Sequence, residues 1–364
     1  MMRGNRRMRN LATLSPAPAD RRSWPKVSIV IAARNEGHNV GAAVRTMLQL
    51  DYPDLELIAV NDRSEDDTGV ILEQLAATDP RLQVEHVREL PAGWIGKTHA
   101  MHRGAARAGG AWILFTDADI HFHPQALRRA VGGAVAGRLD LLAAVPQLNE
   151  HGHLLGVCVN AFSFLFTLGI RPWRIPDPHS AAHGAVGAFT LVRAAKYREL
   201  GGHESIRLRP DDDVKLGKLF KLHGARCEML HGAGQLAVSW YTSVGGMVRG
   251  LTKNSFAGAD YRLWIPPLGA AALVGLMLWP IVVLFVATGP AWWLNAGSVA
   301  LVLGLGCDQT KFTGGRWWHG LLLPLGVAVF SYILLRSMVV THWQGGVTWR
   351  GTHYRLADLK TNKV

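Results

Sequence analysis

Cysteine and charge are both scarce in this chain of 364 residues. Its three cysteines, Cys158, Cys227 and Cys307, are odd in number and far apart, which excludes a disulfide-stapled secreted scaffold and a CxxC zinc site. Charged residues make up only 18% of the chain, against about 25% in a typical soluble domain. Apolar residues make up 49%, which excludes a disordered protein because disorder requires low hydrophobicity.

Several motifs that mark known chemistries are absent too. The sequence has no GxxxxGK[ST] stretch, which excludes a P-loop protein. It has no GxGxxG after the first predicted strand, which disfavours a dinucleotide-binding fold. Neither HExxH nor GxSxG occurs.

Residues 265–307 contain no Asp, Glu, Lys or Arg. This run is long enough for two membrane crossings of about 20 residues each, and a third uncharged run begins at Trp317. The pattern predicts transmembrane helices at 265–287, 291–307 and 318–340. The alternative, a set of buried core helices, is disfavoured by the length of the uncharged runs, and several tryptophans lie near their ends as interface anchors do.

Two further segments are predicted to lie near the membrane. The uncharged run at 154–170 is marginal in length for a crossing and interrupts an α/β pattern on both sides. It is therefore predicted to be a core or interfacial helix rather than a crossing. Residues 239–264 are predicted to form an interfacial segment ahead of the first crossing.

The chain has 39 basic and 27 acidic residues, a formal net charge of +12. Residues 1–25 are rich in arginine, but no apolar segment follows, so they are not a signal peptide. We predict a disordered basic tail here that lies against anionic lipid, and a second basic tail at 342–364. Nucleic acid is not expected as a partner, because membrane-flanking residues account for the basic excess.

Short apolar runs alternate with helical patterns between residues 26 and 146. The predicted strands are 27–33, 55–60, 82–87, 112–116 and 141–145, and the predicted helices are 36–50, 64–77, 97–107 and 124–135. This alternation predicts an α/β fold with a doubly wound, mostly parallel sheet, which binds its ligand at the carboxyl ends of the strands.

Acidic residues follow these strands at the points where a ligand is expected. Asp62 follows the second strand, and Asp117 and Asp119 follow the fourth. Two carboxylates at i and i+2 can reach one hard divalent cation and leave room for phosphate oxygens. An isolated Asp-x-Asp pair is more often a solvated turn, but the position directly after a buried strand favours a metal site.

Three adjacent carboxylates, Asp211, Asp212 and Asp213, form a second acidic feature. Because they repel one another, at least one of their pKa values is expected to be raised. The alternative is an exposed helix start at which acids interact favourably with the helix dipole.

Five motifs in order resemble those of the family 2 inverting glycosyltransferases, which have a GT-A fold. They are VSIVIAARNE (27–36), VNDRSEDDTG (60–69), GWIGKTHAMHRG (93–104), DAD (117–119) and RPDDDVKLGKLFKLHG (209–224). The phrases LPAGWIGKTHA (90–100), VGGMVRGLTKN (244–254) and GGVTWRGTHY (345–354) resemble the hopene-associated subgroup of membrane glycosyltransferases. The resemblance implies a GT-A catalytic domain at 26–238.

The resemblance also implies roles in binding a nucleotide-sugar donor, with a UDP-sugar favoured. Asp62 would contact the base and Asp117 the ribose. Ala33 and Glu36 would line the nucleoside pocket, and Lys97 would lie near the nucleotide.

A divalent cation, Mg²⁺ or Mn²⁺, is implied at Asp119 with help from Asp117, where it would stabilise the departing diphosphate. The general base of the family is the second acid of a pair. In the corresponding pair of this sequence, the second acid is Asp213, which the resemblance therefore implies as the base. The first acid of the pair is Asp212, where the family has Glu.

Membrane members of the family often carry a QxxRW motif, which this sequence lacks. Arg249 and Lys253 occupy the corresponding stretch and are candidates for holding the diphosphate or the acceptor. It is an equally good interpretation that Arg249 and Lys253 are simply basic residues at the membrane surface. His203 is a third candidate, near the acceptor, by resemblance alone.

The sequence therefore predicts a metal-dependent, multi-pass glycosyltransferase of the inner membrane with a cytoplasmic catalytic domain. The expected acceptor is a lipid, of hopanoid or polyprenoid type by the subgroup resemblance. The alternatives are a processive polysaccharide synthase and a catalytically dead membrane scaffold. The missing QxxRW and the small number of crossings argue against the first, and the full set of acids argues against the second.

Overall fold

The computed structural model describes residues 1–16, 24–149 and 152–362. The chain forms two compact units. The sheet unit comprises the described parts of residues 6–147 and 172–238 together with Asn362, and the helical unit comprises residues 1–5, the described part of 148–171, and 239–361.

The strands have the following bounds in chain order: β1 (Val27–Ala33), β2 (Leu55–Asp62), β3 (Leu82–Val87), β4 (Trp112–Asp117), β5 (His121–Phe122), β6 (Leu141–Val145), β7 (Gln147–Leu148), β8 (Thr190–Arg193), β9 (Cys227–His231), β10 (Leu236–Val238), β11 (Gly346–Trp349) and β12 (Thr352–Arg355).

The α-helices are α1 (Met2–Asn5), α2 (Val40–Leu48), α3 (Thr68–Ala76), α4 (Gly96–Arg107), α5 (Ala126–Ala136), α6 (His153–Ile170), α7 (Ala194–Glu199), α8 (Asp212–Leu222), α9 (Val244–Gly258), α10 (Ile265–Leu273), α11 (Trp279–Val283), α12 (Gly289–Thr313), α13 (Leu323–Trp343) and α14 (Leu356–Leu359). Short 3-10 helices occur at Leu11–Thr13, Pro172–Arg174, Gly202–Ile206 and Trp317–Gly320, and a π-helical segment, Val274–Leu278, joins α10 to α11.

A seven-stranded sheet forms the centre of the sheet unit, in the order β3-β2-β1-β4-β8-β6-β9. Three of its six neighbouring pairs join two strands predicted from the sequence, and in these pairs β1, β2, β3 and β4 run parallel to one another. Only β8 runs antiparallel to its neighbours. The predicted doubly wound, mostly parallel sheet is confirmed.

The central strands form because apolar, β-branched residues are buried on both faces of the sheet. In β2 all eight residues are buried, and in β1 six of seven are. Gly104 on α4 allows the helix to approach this layer closely, since a Cβ there would clash with the side chain of Val30. The sheet is thus a rigid platform whose carboxyl edge carries the acidic residues.

Part of the N-terminal segment is ordered, contrary to the predicted disordered tail. The amide of His231 on the edge strand β9 donates to the carbonyl of Arg9 at 3.0 Å. Leu11 is fully buried, and Arg129 donates to the carbonyls of Ala12 and Leu14. The segment covers an otherwise open sheet edge, which explains its order; residues 17–23 of the predicted tail lie outside the described residues.

Four helices among the described residues are long and apolar enough to cross a membrane: His153–Arg174, Ile265–Val283, Gly289–Thr313 and Leu323–Trp343. The last three correspond to the predicted 265–287, 291–307 and 318–340, with shifted ends.

The helix α6 groups with the helical unit, although the sequence prediction included it in the catalytic domain. Its residues Leu155, Cys158 and Val159 share an apolar cluster with Met247 of α9 and Ile333 of α13. The helix α6 therefore buries apolar surface against these helices.

Candidate active site

The carboxyl ends of β1, β2 and β4 meet at one edge of the sheet. The register pairs Ala33 with Asn61 and Ala32 with Asp117. Asp62 and Asp117 therefore end the two strands that flank β1, at the same edge of the sheet, as predicted from the order of strands and acids.

Asp62 is buried and held on one side by its neighbour Arg63. The Arg63 guanidinium donates to both carboxylate oxygens, at 2.7 and 3.1 Å, and Arg63 has a left-handed backbone with φ of 56°. The start of α4 lies against this pair, since a Cβ on Gly96 would clash with Asp62. Only glycine at 96 leaves room for the carboxylate.

The loop that follows β1 is hydrogen-bonded to the loop that follows β2. The amide of Asn35 donates to Ser64 Oγ at 3.0 Å, and the amide of Glu65 donates to Asn35 Oδ1 at 2.8 Å. The amide of Glu36 donates to Thr68 Oγ1 at 2.8 Å. This exchange fixes the partly buried Glu36 at the sheet edge, next to the fully buried Ala33.

Lys97 is the electrostatic centre of the site. Its Nζ lies 2.9 Å from Asp117 Oδ1 and 3.6 Å from Asp212 Oδ2. Burial by itself lowers the pKa of Lys97, but the charges of Asp117, Asp212 and Asp213 outweigh it and raise that pKa. Lys97 is thus a permanent cation that joins the loop after β4 to the start of α8.

Asp119 lies in the turn after β4, partly buried. Burial, followed by repulsion from Asp117 and Glu36, raises the pKa of Asp119 to about 7. Such crowding of carboxylates is what a divalent cation relieves. No group of three or more His, Cys, Asp or Glu side chains that could hold a metal occurs among the described residues. Two carboxylates, those of Asp117 and Asp119, would leave the other positions of a cation to water and phosphate oxygens.

The three adjacent acids at the start of α8 have different surroundings. Asp211 is paired with the buried Arg209, at 2.8 and 2.9 Å. Asp212 is buried beside Lys97, and its pKa is raised to about 7 by burial first, with further repulsion from Asp213, Asp117 and Asp211. The alternative of an exposed helix start therefore does not hold for Asp211 and Asp212, and a raised pKa within the run agrees with the prediction.

Asp213 accepts two backbone hydrogen bonds. Its Oδ2 accepts from the amide of Gly187 at 2.8 Å, and its Oδ1 accepts from the amide of Val214 at 2.7 Å. Burial raises the pKa of Asp213. A Cβ on Gly187 would lie 2.8 Å from Asp117 Oδ2 and 3.3 Å from Lys97 Nζ, so Gly187 brings Asp117, Lys97 and Asp213 to one place.

His203 is a buried side chain of the sheet unit. It is 2% exposed, its Nδ1 lies 2.9 Å from the hydroxyl of Tyr197, and its ring packs edge-on against Phe115. Burial lowers its pKa to about 3, so the side chain is neutral. Its predicted place near the acceptor stays a prediction.

Arg249 and Lys253 both lie on α9 in the helical unit. Arg249 is exposed, whereas Lys253 places its Nζ 3.5 Å from the ring centroid of Trp349. A cation held over an indole face is attracted by the ring electrostatics. Their predicted contact with diphosphate or acceptor stays a prediction.

Comparison with known proteins agrees with this geometry. Residues 28–190 match the family model described as Glycosyl transferase family 2. The match covers somewhat less than half of the chain and spans β1 to β8.

Proteins similar to this chain include the 4,4'-diaponeurosporenoate glycosyltransferase of Staphylococcus aureus strain MRSA252. The two are 26% identical over 363 residues, which covers 91% of this chain and 88% of the relative. The protein of the same name from strain USA300 is 24% identical with the same coverage.

Among solved structures, the mannosyltransferase PcManGT from Pyrobaculum calidifontis, in complex with GDP-Man and Mn²⁺, has a TM-score of 0.55 at 18% identity. The match covers 94% of this chain and 93% of that one. At this identity the likeness concerns the fold, and it agrees with the GT-A architecture.

Three residues of the glycosyltransferase site were missed by the sequence analysis: Arg63, Gly187 and Arg209. Arg63 was the easiest of the three to predict from the sequence, because it directly follows Asp62. Arg209 stands two residues before Asp211, a spacing that permits the pairing without requiring it. Gly187 carries no signal in a single sequence, since its role depends on residues about 70 and 90 positions away in the chain.

Proposed function

We propose that this protein is a membrane-bound inverting glycosyltransferase that moves a sugar from a nucleotide-sugar donor to a lipid acceptor. The observation that carries the proposal is Lys97, which contacts Asp117 and Asp212 at the sheet edge while Asp213 stands beside them. A fixed cation between a donor-side acid and a pair of acids with raised pKa suits the transfer of a sugar away from a diphosphate.

In the proposed reaction, Asp213 takes the proton of an acceptor hydroxyl as the acceptor oxygen attacks the anomeric carbon of the donor. The bond from that carbon to the diphosphate oxygen breaks, and the diphosphate leaves with the electron pair. No covalent enzyme intermediate forms, so the anomeric configuration inverts. The backbone amides of Gly187 and Val214 hold the Asp213 carboxylate in position.

Lys97 is proposed to stabilise the leaving diphosphate. It holds positive charge beside Asp117 and Asp212 throughout, so negative charge that develops on the diphosphate meets a preorganised cation. Asp119 and Asp117 are the residues that would hold Mg²⁺ or Mn²⁺, which would supply Lewis-acid stabilisation of the leaving group.

The acceptor is proposed to be a lipid for two reasons. The relatives in Staphylococcus aureus are named for 4,4'-diaponeurosporenoate, a lipid-like acceptor, and they match over nine-tenths of this chain. Four of this chain's helices are long and apolar enough to cross a membrane. A hopanoid or other polyprenoid lipid is the specific acceptor class we propose, and a UDP-sugar the donor. The site of action is the cytoplasmic face of the inner membrane.

The test is transfer by the purified full-length protein in lipid nanodiscs. Radiolabelled UDP- and GDP-sugars are supplied with polyprenoid lipids, and the lipid extract is analysed for labelled glycolipid. Labelled lipid with wild type and none with Asp213→Asn is the expected result. Labelled polymer in place of lipid would indicate a polysaccharide synthase, and no product with any donor would indicate a scaffold.

Asp62→Ala is expected to weaken nucleoside diphosphate binding by roughly 10- to 100-fold, because a hydrogen bond to a charged group contributes about 1.5–3 kcal/mol. Titration calorimetry with UDP measures the loss. Asp67→Ala is the matched control, since Asp67 is exposed and its side chain makes no capping bond to α3. Equal affinities for the two variants would refute the role of Asp62.

The intact chain is expected to stay in the membrane pellet after washing with alkaline carbonate. The reason is the run of 43 residues without charge at 265–307. Moving so much apolar surface from the bilayer into water has a large unfavourable free energy. Immunoblots of pellet and supernatant measure the distribution. Release of the chain by carbonate or by high salt would show that no helix spans the bilayer.

A further inference from the structure

We propose that one helical hairpin alone crosses the bilayer: the helical run Ile265–Val283 passes outward and α12 returns, while α6 and α13 lie along the interface on the side of the sheet unit. This goes beyond the proposed function, which requires only membrane attachment. It replaces the three crossings predicted from the sequence.

The helix α6 cannot be a single crossing, because the chain before it and the chain after it belong to one sheet. The strand β6 precedes α6, yet it pairs with β8 and β9, which follow α6. One crossing between them would separate hydrogen-bonded strands by the bilayer core of about 30 Å.

The C-terminal end of α12 lies on the same side as the sheet. Asn5 Nδ2 donates to Gln309 Oε1 at 3.0 Å, and both residues are buried. Only four residues later, the carbonyl of Arg9 accepts from the amide of His231 in the sheet. Four extended residues span at most about 14 Å, less than half the bilayer core, so Gln309 is on the sheet side.

The C-terminal tail lies on that side too. Asn362 Oδ1 accepts from the amide of Leu208 at 3.0 Å, and its Nδ2 donates to the carbonyl of Ser205 at 2.9 Å. The chain is thus on the sheet side both before α13, at Gln309, and after it, at Asn362. A single crossing by α13 is incompatible with both contacts.

The surface of α13 suits an interfacial position. Arg336 donates to Thr252 Oγ1 of α9 at 2.8 Å, and Ser337 Oγ accepts from the amide of Phe256 at 2.9 Å. At 3.6 residues per turn, the exposed apolar residues Leu325, Tyr332, Leu335, Val339 and Trp343 form one stripe that faces away from Ser337, and Arg336 lies at its border. A helix with one face bonded to protein and an apolar stripe outside can embed that stripe at the headgroup boundary.

The hairpin has the dimensions and charges of two crossings. Its helical runs contain 19 and 25 residues, or about 28 and 37 Å at 1.5 Å per residue, against a core of about 30 Å. The turn between them carries no charge and exposes Phe285 and Val286. The nearest basic residues, Arg262 and Lys311, flank the two ends on the sheet side, which satisfies the positive-inside rule.

The test uses the full chain with its native cysteines replaced (Cys158→Ala, Cys227→Ala, Cys307→Ala) and one new cysteine at a time: Thr288→Cys, Gly315→Cys or Thr361→Cys. A membrane-impermeant maleimide is added to sealed spheroplasts and to lysed ones. We expect labelling at 288 in both preparations, and labelling at 315 and 361 only after lysis.

Two results would overturn the proposal. Labelling at 361 in sealed spheroplasts would mean that α13 crosses, and protection of 288 until lysis would mean that the hairpin does not. Should the cysteine-free chain misfold, protease protection of a C-terminal epitope on the otherwise native chain decides the same question, since three crossings expose it outside. Neither readout depends on catalysis, so the topology and the proposed transferase activity stand or fall separately.

Discussion

Asp213→Asn is expected to lower kcat by about 10²- to 10⁴-fold, the usual contribution of a general base. The amide keeps the size of the carboxylate and can accept one of its two hydrogen bonds from Gly187 and Val214, but it cannot take a proton. Binding of the donor and of a divalent cation should stay near normal. The measurement is steady-state transfer alongside calorimetry with a nucleoside diphosphate.

The two neighbouring acids are the matched controls. Asp212→Asn is expected to have an intermediate effect on kcat, because Asp212 contacts Lys97 and repels Asp213. Asp211→Asn should change kcat least but lower Tm, since it weakens the partner of the buried Arg209. If Asp211→Asn slowed transfer most, the base would have to be reassigned.

The acidity of the site predicts a pH dependence for the wild-type enzyme. A base must be ionised to act, and burial raises the pKa of Asp213, while the pKa of Asp212 is raised to about 7. We therefore expect kcat to fall on the acidic side at a higher pH than an ordinary Asp, whose pKa is about 3.9, would impose. A kcat profile that stays flat down to pH 5 would contradict a buried carboxylate as the base.

Asp119→Asn is expected to abolish measurable transfer while leaving the fold intact. The substitution keeps the shape of the side chain but removes a negative charge from a cluster with Asp117 and Glu36, and a divalent cation depends on that charge. Without the cation, the charge of the departing diphosphate would be left unscreened. Transfer assays over a range of Mg²⁺ and Mn²⁺ concentrations measure the loss.

The control for this prediction is Asp54→Asn, which removes a charge from an exposed position in the same unit. It should transfer at the wild-type rate. The wild type should lose activity in a chelator and regain it when a divalent cation is restored. Full activity in the chelator would remove the metal role from Asp117 and Asp119 alike.

The sequence by itself determined five of the seven strands of the sheet and the position of most acids along it. Buried parallel strands read as short apolar, β-branched runs, so β1 and β4 could be located to within one residue. Because parallel strands end at one edge, the acids that follow them had to meet there. Long uncharged runs likewise identified the apolar helices, since hydrophobic length is a property of the chain alone.

Tertiary structure alone decided what each acid contacts. Asp211, Asp212 and Asp213 are adjacent and chemically identical, and only the packing around α8 pairs the first with Arg209, the second with Lys97 and the third with the amide of Gly187. In the same way, only the packing shows that His203 is buried.

The proposed membrane topology also depends on tertiary contacts. Hydropathy measures whether a helix can cross, and by that measure α6 and α13 are as apolar as the proposed hairpin. Whether a helix does cross depends on which side its two ends are held, and that is set by contacts such as Asn5 with Gln309 and Asn362 with Leu208. These pairs are separated by 304 and 154 positions in the chain, so no local pattern in the sequence could reveal them.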